Sequence, residues 1–462
     1  MKNKSSMNLG SGSVAKLLFS LALPSIIAQI INVLYNIVDR MYIGHIPQSG
    51  ALALTGVGVT LPIITAITAF SALVCMGGAP RAAIALGKND KDEAEHIMSN
   101  CFVLLVIVGI LLTAAVQLFA EPMLSSFGAS ASTLPYALDY IKIYALGTVF
   151  VQTALGMNAF INTQGRTIFG MASVMIGAVT NIILDPIFIF VLGLGVKGAA
   201  IATITSQCIS AIFVLWFLGS KKSDLKLKKQ YFKLSAGVIG PCLLLGLSPF
   251  VMQITESLLT ICFNSSLLKY GGDTAVGAMA ILASVMQFSM LPLSGLTQGS
   301  QPIISFNFGA KKYDRIRTAF KVLLISSLAY STLIWCAAQF APQLLASMFT
   351  NDPELIDYTC RALRIYMAMS LLFGAQIACQ QTFIALGNAK TSLFLALLRK
   401  VILLIPLIFI LPNFFADKAF AVFLAEPVAD TLAVITTCTL FARYYKKTLN
   451  GPEAAYDSPV RK

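Results

Sequence analysis

Long, nearly unbroken apolar stretches follow one another along the chain, separated by short clusters of Gly, Pro, Asn and Asp. Apolar stretches of roughly 20 residues predict helices that cross a membrane. Twelve such stretches can be marked off, with boundaries set by the turn-forming residues. Their approximate limits are 14–43, 51–79, 95–119, 134–160, 168–192, 197–219, 236–268, 274–305, 314–340, 355–385, 391–412 and 418–445. The pattern predicts an all-α integral membrane protein with twelve transmembrane helices.

The composition supports this interpretation and removes several others. Of the 462 residues, 57% are apolar and only 11% are charged, whereas soluble domains average about 45–50% and about 25%. A soluble core cannot hide that much apolar surface, which disfavours a soluble enzyme, a nucleic-acid-binding protein and a disordered chain. An outer-membrane barrel is disfavoured as well, because its strands alternate apolar and polar residues.

The net charge of +13 follows a topological pattern. Most Lys and Arg residues fall in the two terminal segments and in alternate connections between the predicted helices, above all in a Lys-rich loop at about 219–235. Such residues collect in cytoplasmic loops, so both termini are expected on the cytoplasmic side. The surplus therefore requires no nucleic acid, although contact of residues 221–233 with anionic lipid remains an alternative.

The two halves of the sequence resemble each other. Pro80 and Pro302 lie in similar polar segments, as do Gly87 and Gly309, and each pair is 222 residues apart. Six helices per half keep both halves in one orientation, related by an axis along the membrane normal, as in secondary transporters. We therefore expect two pseudo-symmetric six-helix bundles, comprising residues 1–225 and 226–462.

Three long stretches resemble the multidrug and toxic compound extrusion (MATE) family. They are "LALPSIIAQIINVLYNIVDRMYIGHI" (21–46), "NTQGRTIFGMASVMIGAVTNIILDPIFIFVLGLGVKGAAIATITSQ" (162–207) and "GLTQGSQPIISFNFGAKKYDRIR" (295–317). Residues 397–407 and 425–432 resemble the bacterial branch that includes DinF-like and MepA-like exporters. The resemblance implies a V-shaped pair of bundles in the bacterial inner membrane. It also implies export of lipophilic organic cations in exchange for protons or sodium ions.

Asp39 is an ionisable residue near the far end of the first predicted helix. Asn32, Tyr35 and Asn36 precede it on one helical face. A charge within a span costs roughly 2.5–3.5 kcal/mol on insertion scales and persists where it faces a cavity or a partner. The family resemblance places a functional carboxylate at Asp39, and the alternative is a pair with Arg40 at the interface.

Asp185 lies deeper, inside the fifth predicted helix, with Asn181 one turn earlier and Pro186 directly after it. Thr203 in the sixth helix matches the family position that faces this pair. Oxygen ligands of these kinds suit sodium, and a carboxylate removed from water takes up a proton more readily. We expect a coupling-ion site at Asp39, Asn181, Asp185 and Thr203; the alternative for Asp185 is a structural interhelical hydrogen bond.

The remaining candidates are assigned to the substrate. The substrate-binding candidates are Asn32, Tyr35, Asn158 and Glu256. Asn158 matches a substrate-cavity position of the family, with a helix-packing amide as the alternative. Glu256 matches a carboxylate of some family branches, with a paired structural glutamate as the alternative.

Four charged residues near the end of the chain form a secondary group. Glu426 and Asp430 lie one turn apart in the twelfth helix, and they serve either a cavity or structural pairing. Arg399 and Lys400 lie well inside the eleventh helix and are the expected partners of these two acids.

Several functions are not expected. The only histidines are His45 and His96 and the nine cysteines show no CxxC pair, which disfavours a zinc site or disulfide framework. Neither HExxH nor GxSxG is present, so we do not expect an enzyme. The expected partners are small organic cations and the lipid bilayer, with no nucleic acid and no cofactor beyond the coupling proton or sodium ion. A monomer is expected, since two halves already close one cavity.

Two transport alternatives stay open at this stage. A lipid-linked oligosaccharide flippase of the related superfamily shares the six-plus-six plan, but it would need a basic central cavity for an anionic headgroup. Apart from Arg399 and Lys400 the spans offer few cations and several carboxylates. A channel is disfavoured by the Pro-interrupted helices that carry these acids, which suit alternating access better.

Overall fold

The computed structural model describes residues 9–449, and within these residues the chain is helical with no β-strand. The first half contains six spans. They are α1 (Val14–Gly44), α2 (Gly50–Gly87), α3 (Lys91–Ser126), the bent pair α4 (Leu134–Leu146 and Thr148–Thr163), α5 (Thr167–Pro186, continued by a π-turn Ile187–Val191) and α6 (Gly195–Gly219). A connector with one short 3₁₀ turn, Lys229–Tyr231, leads to the second half.

The second half repeats this arrangement. A continuous helical stretch, Ala236–Gly309, is broken at Gly272, whose φ of 63° only glycine adopts readily, and its parts 236–271 and 273–309 are α7 and α8. The next elements are α9 (Tyr313–Phe340), a short helix (Pro342–Ser347) and the bent pair α10 (Pro353–Tyr366 and Ser370–Ala385). The last are α11 (Ala389–Leu397, the π-turn Leu398–Leu404, Ile405–Ile410 and the 3₁₀ turn Leu411–Asn413) and α12 (Lys418–Tyr444, with a π-turn Tyr445–Leu449).

The predicted number of spans is confirmed. Within residues 9–449, nine helical stretches are long and apolar enough to cross a membrane, or eleven if each bent pair is one span. The bends are 58° in α4 and 48° in α10. Dividing the long stretch at Gly272 brings the number to twelve, in two sets of six. The chain is therefore a multi-pass membrane protein.

Helix ends are the least accurate part of the sequence prediction. The apolar pattern predicts that the second span ends near residue 79 and that the third begins near 95, but α2 continues to Gly87 and α3 begins at Lys91. The Asp90 side chain accepts a hydrogen bond of 2.9 Å from the Glu93 backbone and so caps α3. The helices thus extend beyond the apolar stretches from which the limits are drawn.

Both described ends of the chain lie on one side of the membrane. Leu9 and Leu449 belong to the same buried hydrophobic cluster, together with Ile316 at the start of α9 and Leu386 at the end of α10. An even number of spans requires this arrangement. We call this side the terminal side.

The connector packs against the terminal-side end of α3. Asn100 donates a hydrogen bond of 2.8 Å to the Tyr231 carbonyl and accepts one of 2.8 Å from the Ser235 backbone. The ammonium group of Lys228 lies 2.7 Å from a carboxylate oxygen of Glu95, and the carboxylates of Glu95 and Asp92 raise the pKa of Lys228. These contacts fix the connector to α3.

The two halves meet along a seam of glycines. A methyl group added to Gly77 of α2 would overlap the backbone of α7, and one added to Gly246 of α7 would overlap the backbone of α2. Gly87 of α2 and Gly309 of α8 face each other's helices in the same way. These contacts are possible only because the four residues lack a Cβ atom, and they bring the helix backbones together on the terminal side.

The seam ends near the middle of the spans. There the amide of Gln253 in α7 donates a hydrogen bond of 3.3 Å to the hydroxyl of Thr68 in α2. Next to it, the rings of Phe70 and Phe250 meet edge to face with centroids 5.2 Å apart. The halves are therefore joined from the terminal side to the level of Gln253.

Candidate functional site

Two buried carboxyl groups meet where α1 packs along α5. Asp39 is 8% exposed and Asp185 is fully buried. The two carboxyl groups lie within hydrogen-bonding reach of each other. Two ionised carboxylates at this separation would repel each other strongly, so one bound cation or shared proton is needed to balance the pair.

Asn181 completes a polar group on α5, one helical turn before Asp185. Its amide nitrogen donates a hydrogen bond of 3.1 Å to Asp185 Oδ1. Pro186 follows directly and lacks a backbone N–H, and beyond it α5 widens into the π-turn Ile187–Val191. Such turns interrupt regular helix pairing and occur frequently at functional sites.

Three oxygen atoms of this group have no hydrogen-bond donor among the described residues. They are Asp39 Oδ1, Asp185 Oδ2 and Asn181 Oδ1, and all three are buried. Buried polar atoms without a partner are rare because each costs about 1–3 kcal/mol. A set of acceptors without donors is suited to a proton or a hard cation such as sodium.

Thr203 of α6 is linked to this group through a tyrosine. Its hydroxyl donates a hydrogen bond of 3.0 Å to the Ala199 carbonyl and also meets the hydroxyl of Tyr140 from α4. Tyr144, one turn further along α4, stacks on Tyr140 with a centroid distance of 6.1 Å. Sequence reasoning misses the two tyrosines, and their spacing of four residues in an apolar stretch is the only available signal.

Of the polar residues around Asp39 on α1, Tyr35 lies near the carboxyl pair, whereas Asn36 and Arg40 do not pair with it. Tyr35 is half-buried and close enough to Asp39 and Asp185 to interact with both carboxyl groups. The amide of Asn36 is used locally, in a hydrogen bond of 2.6 Å to the Asn32 carbonyl. Arg40 is exposed, and the Asp39 carboxyl lies toward Asp185.

Asn158 holds two helices together. Its amide nitrogen donates a hydrogen bond of 2.9 Å to the Gly170 carbonyl at the start of α5, and its oxygen accepts one of 3.2 Å from Asn162. The geometry is that of the helix-packing amide considered as the alternative. A substrate that contacted Asn158 would share it with this interhelical bond.

A second buried group lies in the C-terminal half. The Arg399 guanidinium donates from Nε to Asp430 Oδ1 at 2.6 Å and from Nη2 to Glu426 Oε1 at 3.1 Å. It also lies over the Phe373 ring, 4.5 Å from the centroid. The expected pairing of Arg399 with both acids is therefore confirmed.

Lys400 pairs differently from the prediction. Its ammonium group donates to the carboxylate of Glu256 in α7 and, at 3.0 Å, to the Met252 carbonyl. The predicted partners were Glu426 and Asp430. Lys400 and Arg399 are neighbours within the π-turn Leu398–Leu404, and consecutive helical residues point in different directions, so the two cations serve different acids.

The comparisons with known proteins agree with one another. The family model described as MatE matches residues 24–187 and 249–410, one segment in each half. The multidrug export protein MepA of Staphylococcus haemolyticus is 26% identical over 442 residues, which is 95% of this chain and 97% of that protein. MepA of Staphylococcus aureus strain N315 is 24% identical over 90% of this chain and 91% of its own length.

Solved structures of MATE transporters superpose on nearly the whole chain. The MATE multidrug transporter DinF-BH superposes with a TM-score of 0.87 at 33% identity and covers 96% of this chain and 99% of its own. A MATE-family transporter of the MOP superfamily, solved in an outward-facing conformation, superposes with a TM-score of 0.89 at 20% identity, covering 99% of this chain and 100% of its own.

Proposed function

Since the chain belongs to the MatE family, we propose that it is a secondary active multidrug efflux antiporter. Its substrates are lipophilic organic compounds, mostly cationic, and it exchanges them for protons or sodium ions. The observation that supports this best is the buried pair Asp39–Asp185, which brings two carboxyl groups together without a basic partner at hydrogen-bonding distance among the described residues.

The coupling cation binds at this pair. A proton shared by the two carboxyl groups removes their repulsion, and a sodium ion does the same with added oxygen ligands from Asn181 and Thr203. Both choices use carboxyl oxygens that have no donor among residues 9–449, and sodium would also use the Asn181 oxygen, which has none either. No other cofactor or metal is needed for this exchange.

The substrate binds next to the same carboxylates. Tyr35 and Asn32 on α1 lie on the approach to Asp39, Asn158 lies at the α4–α5 contact, and Glu256 belongs to the opposite half. A lipophilic cation and the coupling cation compete for the negative charge of Asp39 and Asp185. If each binds best to a different arrangement of the two halves, entry of one drives release of the other.

The arrangement in the membrane follows from the charges. The terminal side carries the Lys-rich connector and most of the other Lys and Arg residues, so we place it in the cytoplasm of a bacterial cell, with the protein in the inner membrane. The glycine seam then closes the cytoplasmic side. The division into residues 1–225 and 226–462 and the monomeric state are parts of the same proposal.

Efflux from proteoliposomes tests the function directly. Purified protein is reconstituted with ethidium inside or outside the vesicles, and a pH gradient and a sodium gradient are imposed separately. We expect uphill ethidium movement with one gradient and its loss when that gradient is collapsed. Failure of both gradients to drive any organic cation, together with transfer of a labelled lipid-linked sugar, would support the flippase instead.

A further inference from the structure

Glu256 lies at the boundary between the closed seam and the space beyond it. Gln253, which touches Thr68 of the other half, is three residues earlier on the same face of α7. The Glu256 side chain is 65% exposed, although it stands in the middle of a span. Charged groups at this depth almost always face a polar space rather than lipid. The exposure of Glu256 directly beyond the last contact between the halves therefore places it on an open space between them, which we call the cleft.

The Lys400 ammonium group approaches Glu256 from the protein interior. The Lys400 side chain is only 5% exposed, and its nitrogen is held by the Met252 carbonyl at 3.0 Å as well as by the carboxylate. The neighbouring cation, Arg399, is already bound to Asp430 and Glu426. Lys400 is therefore the cation that the structure supplies to Glu256.

We propose that Lys400 is a specificity-determining residue, a built-in cation that neutralises the C-terminal wall of the cleft at Glu256. An organic cation gains from Glu256 only to the extent that it displaces Lys400, which is tethered in place. On the opposite wall Asp39 and Asp185 pair with each other, and the exposed Arg40, although close enough to act on Asp39, forms no ion pair with it among the described residues. The proposal rests on the proposed function and adds that one wall attracts cations while the other is neutral at Glu256.

The charge of the cleft wall then decides how many positive charges a substrate can carry. With Lys400 present, a monocation finds its counter-charge in the N-terminal half and a second positive charge finds none. Without Lys400, Glu256 offers a second negative charge across the cleft. Charges that line a water-containing cleft interact through an effective dielectric of about 20, well below that of bulk water, so a second counter-charge still favours a dication.

Two dyes with the same ring system measure this difference. Ethidium carries one positive charge and propidium carries two. Binding of each dye to detergent-purified full-length protein is followed by fluorescence polarisation for the wild type and for Lys400→Met, Glu256→Gln, the double variant and Lys400→Arg. We expect Lys400→Met to tighten propidium binding about tenfold and ethidium binding less. Glu256→Gln should weaken propidium binding, and the double variant should fall between the single variants.

The controls separate charge from folding. Lys400→Arg keeps the charge and should bind both dyes within about twofold of the wild type. Lys197→Met removes an exposed lysine that pairs with Asp139 at 3.5 Å in the N-terminal half, and it should change neither affinity. If Lys400→Met is not recovered from the membrane, Glu256→Gln still decides the question.

Two results would overturn the proposal: propidium affinity unchanged or weaker in folded Lys400→Met, or unchanged in Glu256→Gln. Neither result bears on whether the wild type exports cations, because dye binding is measured without a gradient. Absence of gradient-driven efflux by the wild-type protein would instead contradict the proposed function.

Discussion

Carboxylates are buried in both halves of the molecule, but their surroundings differ. In the N-terminal half, Asp39 and Asp185 lie against each other, with amide and hydroxyl groups nearby. In the C-terminal half, Glu426 and Asp430 share the guanidinium of Arg399. Each group stands close to a π-turn, in α5 and in α11 respectively. The same helix arrangement thus carries an acid pair in one half and an ion-pair network in the other.

Under the proposed function, the acid pair of the N-terminal half must exchange its cation, whereas the ion-pair network of the C-terminal half need not. Glu426 and Asp430 share the covalently attached Arg399 and keep that counter-ion in every state of the protein, so they are suited to holding α11 against α12. One guanidinium offsets only one of the two negative charges, and Glu426 Oε2 has no donor among the described residues. Acids without a base depend on a cation from solution, and their charge changes when that cation leaves. Under the proposed function, the missing basic partner rather than burial alone is what distinguishes the coupling site.

The largest expected effect comes from removing an acid of the unbalanced pair. In Asp39→Asn or Asp185→Asn the remaining carboxyl group no longer needs a shared cation. We expect gradient-driven ethidium efflux to be abolished while the protein still reaches the membrane. Efflux is measured in proteoliposomes, with Asp357→Asn as the matched control because Asp357 is exposed and paired with Arg361. Wild-type efflux by either variant would remove that residue from the coupling site.

In the ion-pair network of the C-terminal half, removing the base should affect stability first. Arg399→Met leaves Glu426 and Asp430 buried without a counter-ion, and breaking such a pair costs about 3–5 kcal/mol. We expect a clear drop in the thermal unfolding midpoint in detergent. The triple variant with Glu426→Gln and Asp430→Asn should recover much of the loss. A single variant as stable as the wild type would show that the network is not structural.

A glycine of the seam tests the contact that joins the two halves. Gly77→Ala places a methyl group against the backbone of α7, and overpacking of this kind costs about 1–3 kcal/mol. We expect a shift toward arrangements in which the terminal side is open, measured by spin-label distances between α2 and α7. Gly58→Ala on the same helix is the control, since nothing lies within 4 Å of the added atom. Equal distances in the two variants would contradict the role of the seam.

The smallest effect is expected at Thr203, on the edge of the acid pair. Thr203→Val removes a neutral hydroxyl, and hydrogen bonds of this kind contribute about 0.5–1.5 kcal/mol. The concentration of coupling cation that gives half-maximal efflux should rise less than about tenfold. A total loss of transport would show that Thr203 is as necessary for efflux as Asp39 and Asp185.

The sequence predicted the spans and the acid pair for physical reasons. Apolar stretches report membrane burial directly, and Asp185 is conspicuous because its neighbours are apolar. The pairing of Lys400 with Glu256 joins residues 144 positions apart, and which way each cation points depends on the π-turn of α11. Tyr140 resembles any other aromatic residue in an apolar helix. Such details follow from three-dimensional packing and leave no trace in composition or spacing.

The glycine seam also determines what the protein exposes when it opens. Gly77 and Gly246 hold the halves together through backbone atoms whose hydrogen bonds already lie within their own helices. Separating such surfaces breaks dispersion contacts but leaves no ion pair or side-chain hydrogen bond unmet at these positions. The two helix faces can therefore part and rejoin many times without a large barrier, as repeated transport cycles require.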